Sequence, residues 1–465
     1  MESTDTHSPT PRRRSWLAAL YPAVWRWHFW AGLVVTPFLI VVSLTGALYV
    51  FQEELSVWSR PEVMTVTVPA DAEPRPFGER MAAARATLPP EWEFASFSRP
   101  GDPARADEIV FELEIPHRDH DHDAADAADA ADAEPAHDHA HRFVYVDPYT
   151  ATVLGHTDLE RSFFGIVLDL HRTLLGGSFG RYAVELATCW GIVSLLTGLL
   201  LWWPRGKEKL WGVWLPRLRR GQKIALRDLH TLPGLYLFGV ALTIMVTGLL
   251  YTQVWGRAAF AGLYFGGQLP ASYVSPPKST PLPDNATPAT IDAVIAEART
   301  HYPFPEFYLG APHAPGDSWT LFGPTDEGDL EDGAVYIDAS TGRTLDVIHY
   351  RELSPGATAA LLFYSIHTGS IFGLTTKILA VLACLVITAM SFTGVWMWWI
   401  RRPAGTFGAP RRTKNEEVPR TVAATILVLA ILFPLVGATL VLIGLGTFIA
   451  RRLRPRRVHA GTVAR

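Results

Sequence analysis

Two cysteines are all that 465 residues contain, Cys189 and Cys384, and both fall inside long apolar runs, so no disulfide framework can staple an exported domain. Charge is scarce as well: Asp, Glu, Lys and Arg make up 18% of the chain against 49% hydrophobic residues, with a mean hydropathy of +0.14. That balance excludes an ordinary soluble enzyme and is too polar for a bundle lying wholly in lipid, so membrane segments joined to aqueous ones are expected. No strand is followed by Gly-x-Gly-x-x-Gly, and the basic stretch 204–227 is too short for a flavin domain, which excludes a built-in dinucleotide reductase. The net charge of −4 arises from segregated blocks, and nothing in the pattern suggests nucleic acid. The first apolar segment is too long for the h-region of a secretory signal and has no small-residue cleavage site, so it reads as a retained helix.

What is present are apolar runs at 27–52, 186–204, 231–256, 378–400 and 421–450, each close to or above the roughly 20 residues a helix needs to cross the hydrocarbon core. Lys and Arg flanks orient them. Residues 12–14 are all Arg, 204–227 holds eight Lys/Arg against one acid, and 401–420 holds six against two. By contrast, 53–160 carries 24 Asp/Glu against eight Arg, and 257–360 carries 13 against five Lys/Arg. The basic segments are therefore placed inside and the acidic blocks outside. This divides the chain into an inner tail (1–22), a first spanning helix (23–52), an outer block (53–170), a second helix (181–203), a basic inner loop (204–228), a third helix (229–256), a second outer block (257–366), a fourth helix (373–400), an inner loop (401–420), an apolar segment (421–450) and a basic tail (451–465). The bilayer is the expected surrounding of the four helices.

The chain is also an internal duplication. Val144-Tyr-Val-Asp-Pro-Tyr-Thr-Ala-Thr-Val-Leu154 aligns without gaps on Val335-Tyr-Ile-Asp-Ala-Ser-Thr-Gly-Arg-Thr-Leu345, each reading as strand, Asp-initiated turn and strand. Short helical patterns precede them at 78–88 and 288–301, the second opening on Thr287-Pro288 as N-cap and N1. Each half is thus helix, small outer α+β domain, helix. Two segments break the symmetry. Residues 117–141, rich in His and Asp, read as a disordered hairpin insertion. Segment 421–450 is either one helix of about 45 Å or a hairpin broken at Pro434; only the hairpin returns the basic tail 451–465 to the inner side.

Four histidines recur in register. His28 and His230 each lie 17 residues before a Thr-Gly pair (45–46, 247–248), with Gly at +4; His171 and His367 each lie 26 before another (197–198, 393–394), with paired Trp at +31 and +32. A single interfacial histidine among tryptophans is usually an anchor. Four at matched offsets are better explained as ligands, because a low-spin electron-transfer haem in a membrane needs two neutral imidazoles facing across a helix interface. The charge-derived topology pairs His28 with His230 on the inner side and His171 with His367 on the outer side, and His28 to Thr45 alone climbs about 25 Å of helix. Arg181 and Lys377, at His+10, could pair with haem propionates or simply snorkel to the interface. Gly177 and Gly373, at His+6, would bare the backbone there, and the Thr-Gly pairs would admit a flat macrocycle or close helix packing. The insertion offers His117, His120, His122, His137, His139 and His141 as a loose divalent-metal tract, or as a solvated linker.

Trp27-His28-Phe-Trp-Ala-Gly32, Leu170-His171-Arg172, Asp228-Leu-His230, Ile366-His367-Thr-Gly369 and the two Val-Tyr-(Val/Ile)-Asp turns resemble the PepSY-associated transmembrane proteins, over about residues 20–450. That family includes iron-regulated inner-membrane reductases for ferric siderophores. The resemblance implies a bacterial inner membrane, two periplasmic PepSY-type domains and b-type haem, two in number, held by His28, His230, His171 and His367. The partners it implies are a ferric siderophore or other ferric chelate as acceptor, and a reduced flavin, flavoprotein or quinol as donor. Two other readings stand beside it: a non-enzymatic PepSY membrane protein that modulates periplasmic proteases, and metal handling through the His/Asp-rich insertion.

Overall fold

The computed structural model describes residues 16–70, 73–114, 139–204, 211–282, 287–303, 305–324, 330–408 and 420–453. In chain order, α1 (Trp16–Tyr49), α2 (Gln52–Ser59), α3 (Pro61–Met64) and α4 (Phe77–Arg85) lead into β1 (Glu93–Arg99), β2 (Asp107–Glu114), β3 (His139–Val146) and β4 (Val153–Asp158). Then come α5 (Phe163–Thr173), α6 (Gly177–Trp202), α7 (Gln222–Tyr236), α8 (Phe238–Gly248), α9 (Trp255–Phe265), α10 (Ala271–Val274) and α11 (Ile291–Ala298). The second set of strands is β5 (Phe307–Gly310), β6 (Trp319–Phe322), β7 (Gly333–Ile337) and β8 (Thr344–His349). The chain continues through α12 (Pro355–Thr368), α13 (Gly373–Arg401), α14 (Arg420–Leu432) and α15 (Pro434–Leu453).

Among the described residues three helices, Tyr21–Tyr49, Gly177–Trp202 and Ser370–Arg401, are long and apolar enough to cross a membrane. The third expected span is not one helix. It is a pair, Gln222–Tyr236 and Phe238–Tyr251, bent by 68°, and it makes a fourth span only if the two pieces are taken together. Pro233 lacks an amide hydrogen and sits inside α7, four residues before the break at Leu237. The basic loop expected over 204–228 ends earlier, because α7 begins at Gln222 behind Gly221, whose φ of 91° suits a residue without a Cβ. The apolar segment after residue 420 also breaks. Pro434 opens α15, and a Cβ at Gly437 would lie 2.7 Å from the Ala430 carbonyl oxygen, a separation that an unbroken helix cannot bring about.

The chain divides into two compact units. One comprises the described residues of Met1–Leu39, Glu185–Phe238 and Thr388–Arg465; the other comprises Ile40–Val184 and Gly239–Ile387. The second unit contains the sheet, in which the strands of the two expected α+β blocks are joined. All eight strands form one antiparallel sheet in the order β4-β3-β2-β1-β5-β6-β7-β8. Its halves meet where β1 pairs with β5, Ser96 opposite Gly310 and Phe97 opposite Leu309. Neither four-stranded half could bury its central edge strand alone, and joining equivalent strands removes both edges at once.

One face carries a single core drawn from both halves: Phe97, Ile109, Phe111 and Val144 from the first, Phe307, Leu309, Leu321 and Val335 from the second. Helices α4 and α11 cover it with Phe77, Ala84, Val294 and Ala298. Asp292 at the start of α11 accepts the amides of Phe77 (2.6 Å) and Gly78 (2.9 Å), so the exposed donors at the α4 N-terminus are satisfied by a carboxylate from the other repeat. The N-cap of α11 is Thr290, whose hydroxyl accepts from the Ala293 amide, and not Thr287 as the Thr-Pro signal suggested.

The repeated strand-turn-strand stands as expected. Asp147 accepts from the Tyr149 and Thr150 amides, and Asp338 from the Ser340 and Thr341 amides; Ala151 (φ 57°) and Gly342 (φ 69°) take the same left-handed step. The expected insertion is cut back at its C-terminal end. His139 and His141 are strand residues, paired in register with Glu114 and Glu112. His117, His120, His122 and His137 lie outside the described residues.

Candidate functional site

Each unit brings together one pair of histidines. In the first, His28 on α1 faces His230 on α7, with ring centroids 6.2 Å apart and planes at 82°. The His28 Nδ1 points to the Ser194 carbonyl (3.0 Å) and to Thr197 Oγ1 (3.1 Å) on α6. The His230 Nδ1 points to the Met390 carbonyl (2.9 Å) and Thr393 Oγ1 (3.3 Å) on α13. Both rings are half-buried.

In the other unit, His171 near the end of α5 faces His367 near the end of α12, centroids 6.3 Å apart and planes at 50°. These two helices are short and closely defined. Ser162 and Ser354 cap their N-termini, and left-handed residues, Leu174 and Gly369, close them. The His171 Nδ1 meets the Val42 carbonyl (2.9 Å) and Thr45 Oγ1 (3.3 Å) on α1. The His367 Nδ1 meets the Ile244 carbonyl (2.9 Å) and Thr247 Oγ1 (3.5 Å) on α8.

The four settings are one design used four times. The carbonyl that accepts from each imidazole stands three residues before the Thr and four before the Gly of a Thr-Gly step: 42, 45, 46; 194, 197, 198; 244, 247, 248; 390, 393, 394. In a helix that carbonyl already accepts the amide of the residue four ahead, which is the glycine. Its second lone pair is reached from the side past the glycine, which has no side chain to crowd the approach. A Cβ at Gly46, Gly198, Gly248 or Gly394 would lie 3.0, 3.2, 2.6 or 3.3 Å from the Cε1 of His171, His28, His367 or His230 respectively. The Thr-Gly steps are therefore docking cradles for imidazoles. Their role was missed in sequence because the partner histidine lies more than a hundred residues away; the repeated spacings of 17 and 26 were the available signal.

With Nδ1 engaged, the lone pair of each ring resides on Nε2, and among the described residues no Nε2 of the four makes a hydrogen bond. A metal held between two Nε2 atoms at about 2.0 Å each would set the ring centroids roughly 6.3 Å apart. The observed 6.2 and 6.3 Å fit that ligand pair, and the backbone hydrogen bonds on Nδ1 are the second contacts that metal-bound imidazoles characteristically make. No group of three or more His, Cys, Asp or Glu side chains among the described residues is arranged to hold a bare ion. A two-imidazole site suits a metal that arrives with its other ligands already attached, as haem iron does.

Other expected site residues are placed as follows. Lys377 is held by Glu54 (Nζ to Oε1, 2.6 Å), with its ammonium 6.0 Å from the centre of the Phe51 ring. Arg181 is half-buried near the start of α6. Gly177 and Gly373 open α6 and α13 with φ of 54° and 59°. His141 contacts Glu160 through both its Nδ1 and its amide, at 3.0 Å each. Burial acts to raise the Glu160 carboxyl, yet these hydrogen bonds hold it below the ordinary carboxylate range. Asp228, part of the resemblance in sequence but given no role there, is buried two positions before His230. It accepts the Arg217 guanidinium fork at 2.9 and 2.9 Å and the Arg217 amide at 2.8 Å, tying the segment around Arg217 to α7.

These features define a membrane-associated helical protein with an antiparallel sheet and a duplicated histidine pair. Residues 25–401 match the family of the PepSY-associated TM region, and the chain belongs to that family. No curated protein matches the chain.

Proposed function

We propose that the protein is a transmembrane electron carrier of the bacterial inner membrane with two b-type haems, and that its acceptors are periplasmic ferric chelates, siderophores among them. The observation that carries this reading is the pair of facing imidazoles in each unit, separated as axial ligands would be and each with its Nε2 uncommitted. His28 and His230 would hold one haem, His171 and His367 the other. Bound haem supplies reversible one-electron chemistry between ferric and ferrous iron.

The chain's own contribution is positional. The carbonyls of Ser194, Met390, Val42 and Ile244 accept from Nδ1 and so set the tautomer and the direction of each ring that would serve as a ligand. The positive-inside flanks support a cytoplasmic N-terminus and His28 pair and a periplasmic sheet. A reduced flavin, a flavoprotein or quinol would supply electrons, since the chain has no dinucleotide fingerprint of its own. A ferric chelate is a suitable acceptor because reduction to Fe(II) weakens its bonds to hard oxygen donors and frees the metal.

The test is the absorption spectrum and haem stoichiometry of protein purified from haem-replete cells. Dithionite reduction should reveal a b-type α-band with two haems per chain. A preparation without that band would overturn the reading.

A further inference from the structure

The four threonines of the docking cradles do more than pack. Thr197 Oγ1 lies 2.7 Å from the Val193 carbonyl, Thr393 Oγ1 2.7 Å from that of Ala389, Thr45 Oγ1 2.7 Å from that of Val41, and Thr247 Oγ1 2.8 Å from that of Thr243. A hydroxyl has one proton, and in each case this short bond to the preceding turn takes it. What the hydroxyl presents to the imidazole Nδ1, at 3.1 to 3.5 Å, is therefore a lone pair. Nδ1 then faces two acceptors, the hydroxyl oxygen and the carbonyl three residues before it, and must itself carry the hydrogen.

We infer that Thr45, Thr197, Thr247 and Thr393 are positioning residues that set the electron-donating strength of the histidines. Resting on the haem reading above, the inference adds how each site would be tuned. Two acceptors draw the Nδ1 hydrogen outward and leave more electron density on Nε2, which favours the ferric state and lowers the potential. Because Thr197 and Thr393 serve one pair and Thr45 and Thr247 the other, each haem has its own pair of adjusters. A backbone carbonyl cannot be altered by substitution, so the threonine is the position at which sequence change would tune one haem without moving its ligand.

The experiment is a redox titration, with electron paramagnetic resonance of the oxidised state, on the full chain carrying Thr197→Val with Thr393→Val, or Thr45→Val with Thr247→Val. Valine keeps the shape and removes the acceptor; serine at the same positions restores it. Each valine pair should shift one of the two midpoints to more positive potential and change the resonance of that haem alone, and the serine pair should return both to the wild-type values. Loss of one haem in the valine pair with retention in the serine pair supports the inference equally. Unmoved midpoints in haem-loaded valine variants, equal movement of both midpoints by either pair, or haem loss in valine and serine alike would overturn it. Those outcomes leave the ligand assignment standing, whereas absence of haem from the wild-type protein would refute that assignment itself.

Discussion

In the first half of the repeat, His28 and the cradle around Thr45 ride on one helix of 34 residues, α1, which tolerates Pro22 and Pro37 without breaking. In the second half the equivalent His230 and Thr247 stand on two helices, α7 and α8, bent by 68° at Leu237. The equivalent glycines four residues after each histidine differ as well. Gly32 has nothing within 4 Å of where a Cβ would be, whereas one at Gly234 would strike the sulfur of Met390 at 2.4 Å. Yet the imidazole contacts agree between the halves to within a few tenths of an ångström. Imidazole docking is thus a property of a five-residue stretch of helix ending in Thr-Gly, and the helix that carries the stretch can be continuous or broken.

The largest expected effect follows from treating the two pairs as equivalent and independent. His171→Ala and His230→Ala should each remove about half the haem, read by pyridine haemochrome; unchanged haem in both would break the ligand assignment, and loss of all haem from one alone would break the equivalence. Next in size are the cradle glycines. Alanine is favoured over glycine within a helix by about 1 kcal/mol, so Gly394→Ala, with its Cβ 3.3 Å from His230, should retain haem. Gly248→Ala, at 2.6 Å from His367, should lose the haem of that pair despite the gain in propensity. Equal haem content in the two variants would show that clearance at the cradle does not matter.

The sheet supplies a third comparison. Phe97→Ala at the β1-β5 joint removes a fully buried ring from the core shared by both halves and should cost about 3–5 kcal/mol. Thermal unfolding followed by near-ultraviolet dichroism checks this, and independent melting of two halves would contradict a common core.

The smallest effect distinguishes equivalent positions on the face opposite that core. Glu108 pairs across strands with Tyr145, and Thr320 pairs likewise with Tyr336. Burial pushes the Glu108 carboxyl up to about 7; Arg105 and Arg60 pull it down and Glu53 adds to the rise. A folded-state value above the ordinary 4.5 means that the folded sheet holds the proton more tightly than the unfolded chain. Its contribution to stability is therefore full below about pH 4.5 and is lost as pH rises through about 7. Glu108→Gln should melt higher than wild type at pH 8 and approach it at pH 5. A Thr320→Val variant should show the wild-type pH slope, and a flat wild-type profile would remove Glu108 from the account.

Much of this was legible in the chain because it depends on local pattern. Apolar runs, charged flanks, the Asp-initiated turns and the register of four histidines are all spaced along the sequence, and periodicity and side chemistry suffice to read them. The break at Pro434 and the pairing of histidines across the halves follow from the same rules. Only the tertiary structure decided the rest, because it depends on residues far apart in the chain. The strands of the two expected blocks form one sheet because β1 and β5 cover each other's edge, which no single strand's composition announces. His139 and His141 joined β3 because Glu114 and Glu112 pair with them across a long insertion. The Thr-Gly steps, which as sequence are ordinary helix-packing residues, acquired their meaning when an imidazole from another helix came to rest on the carbonyl that each glycine leaves open. A histidine's identity and spacing can be read from the sequence, but the atom that receives its Nδ1 hydrogen, and so frees Nε2, is set by a neighbour in space.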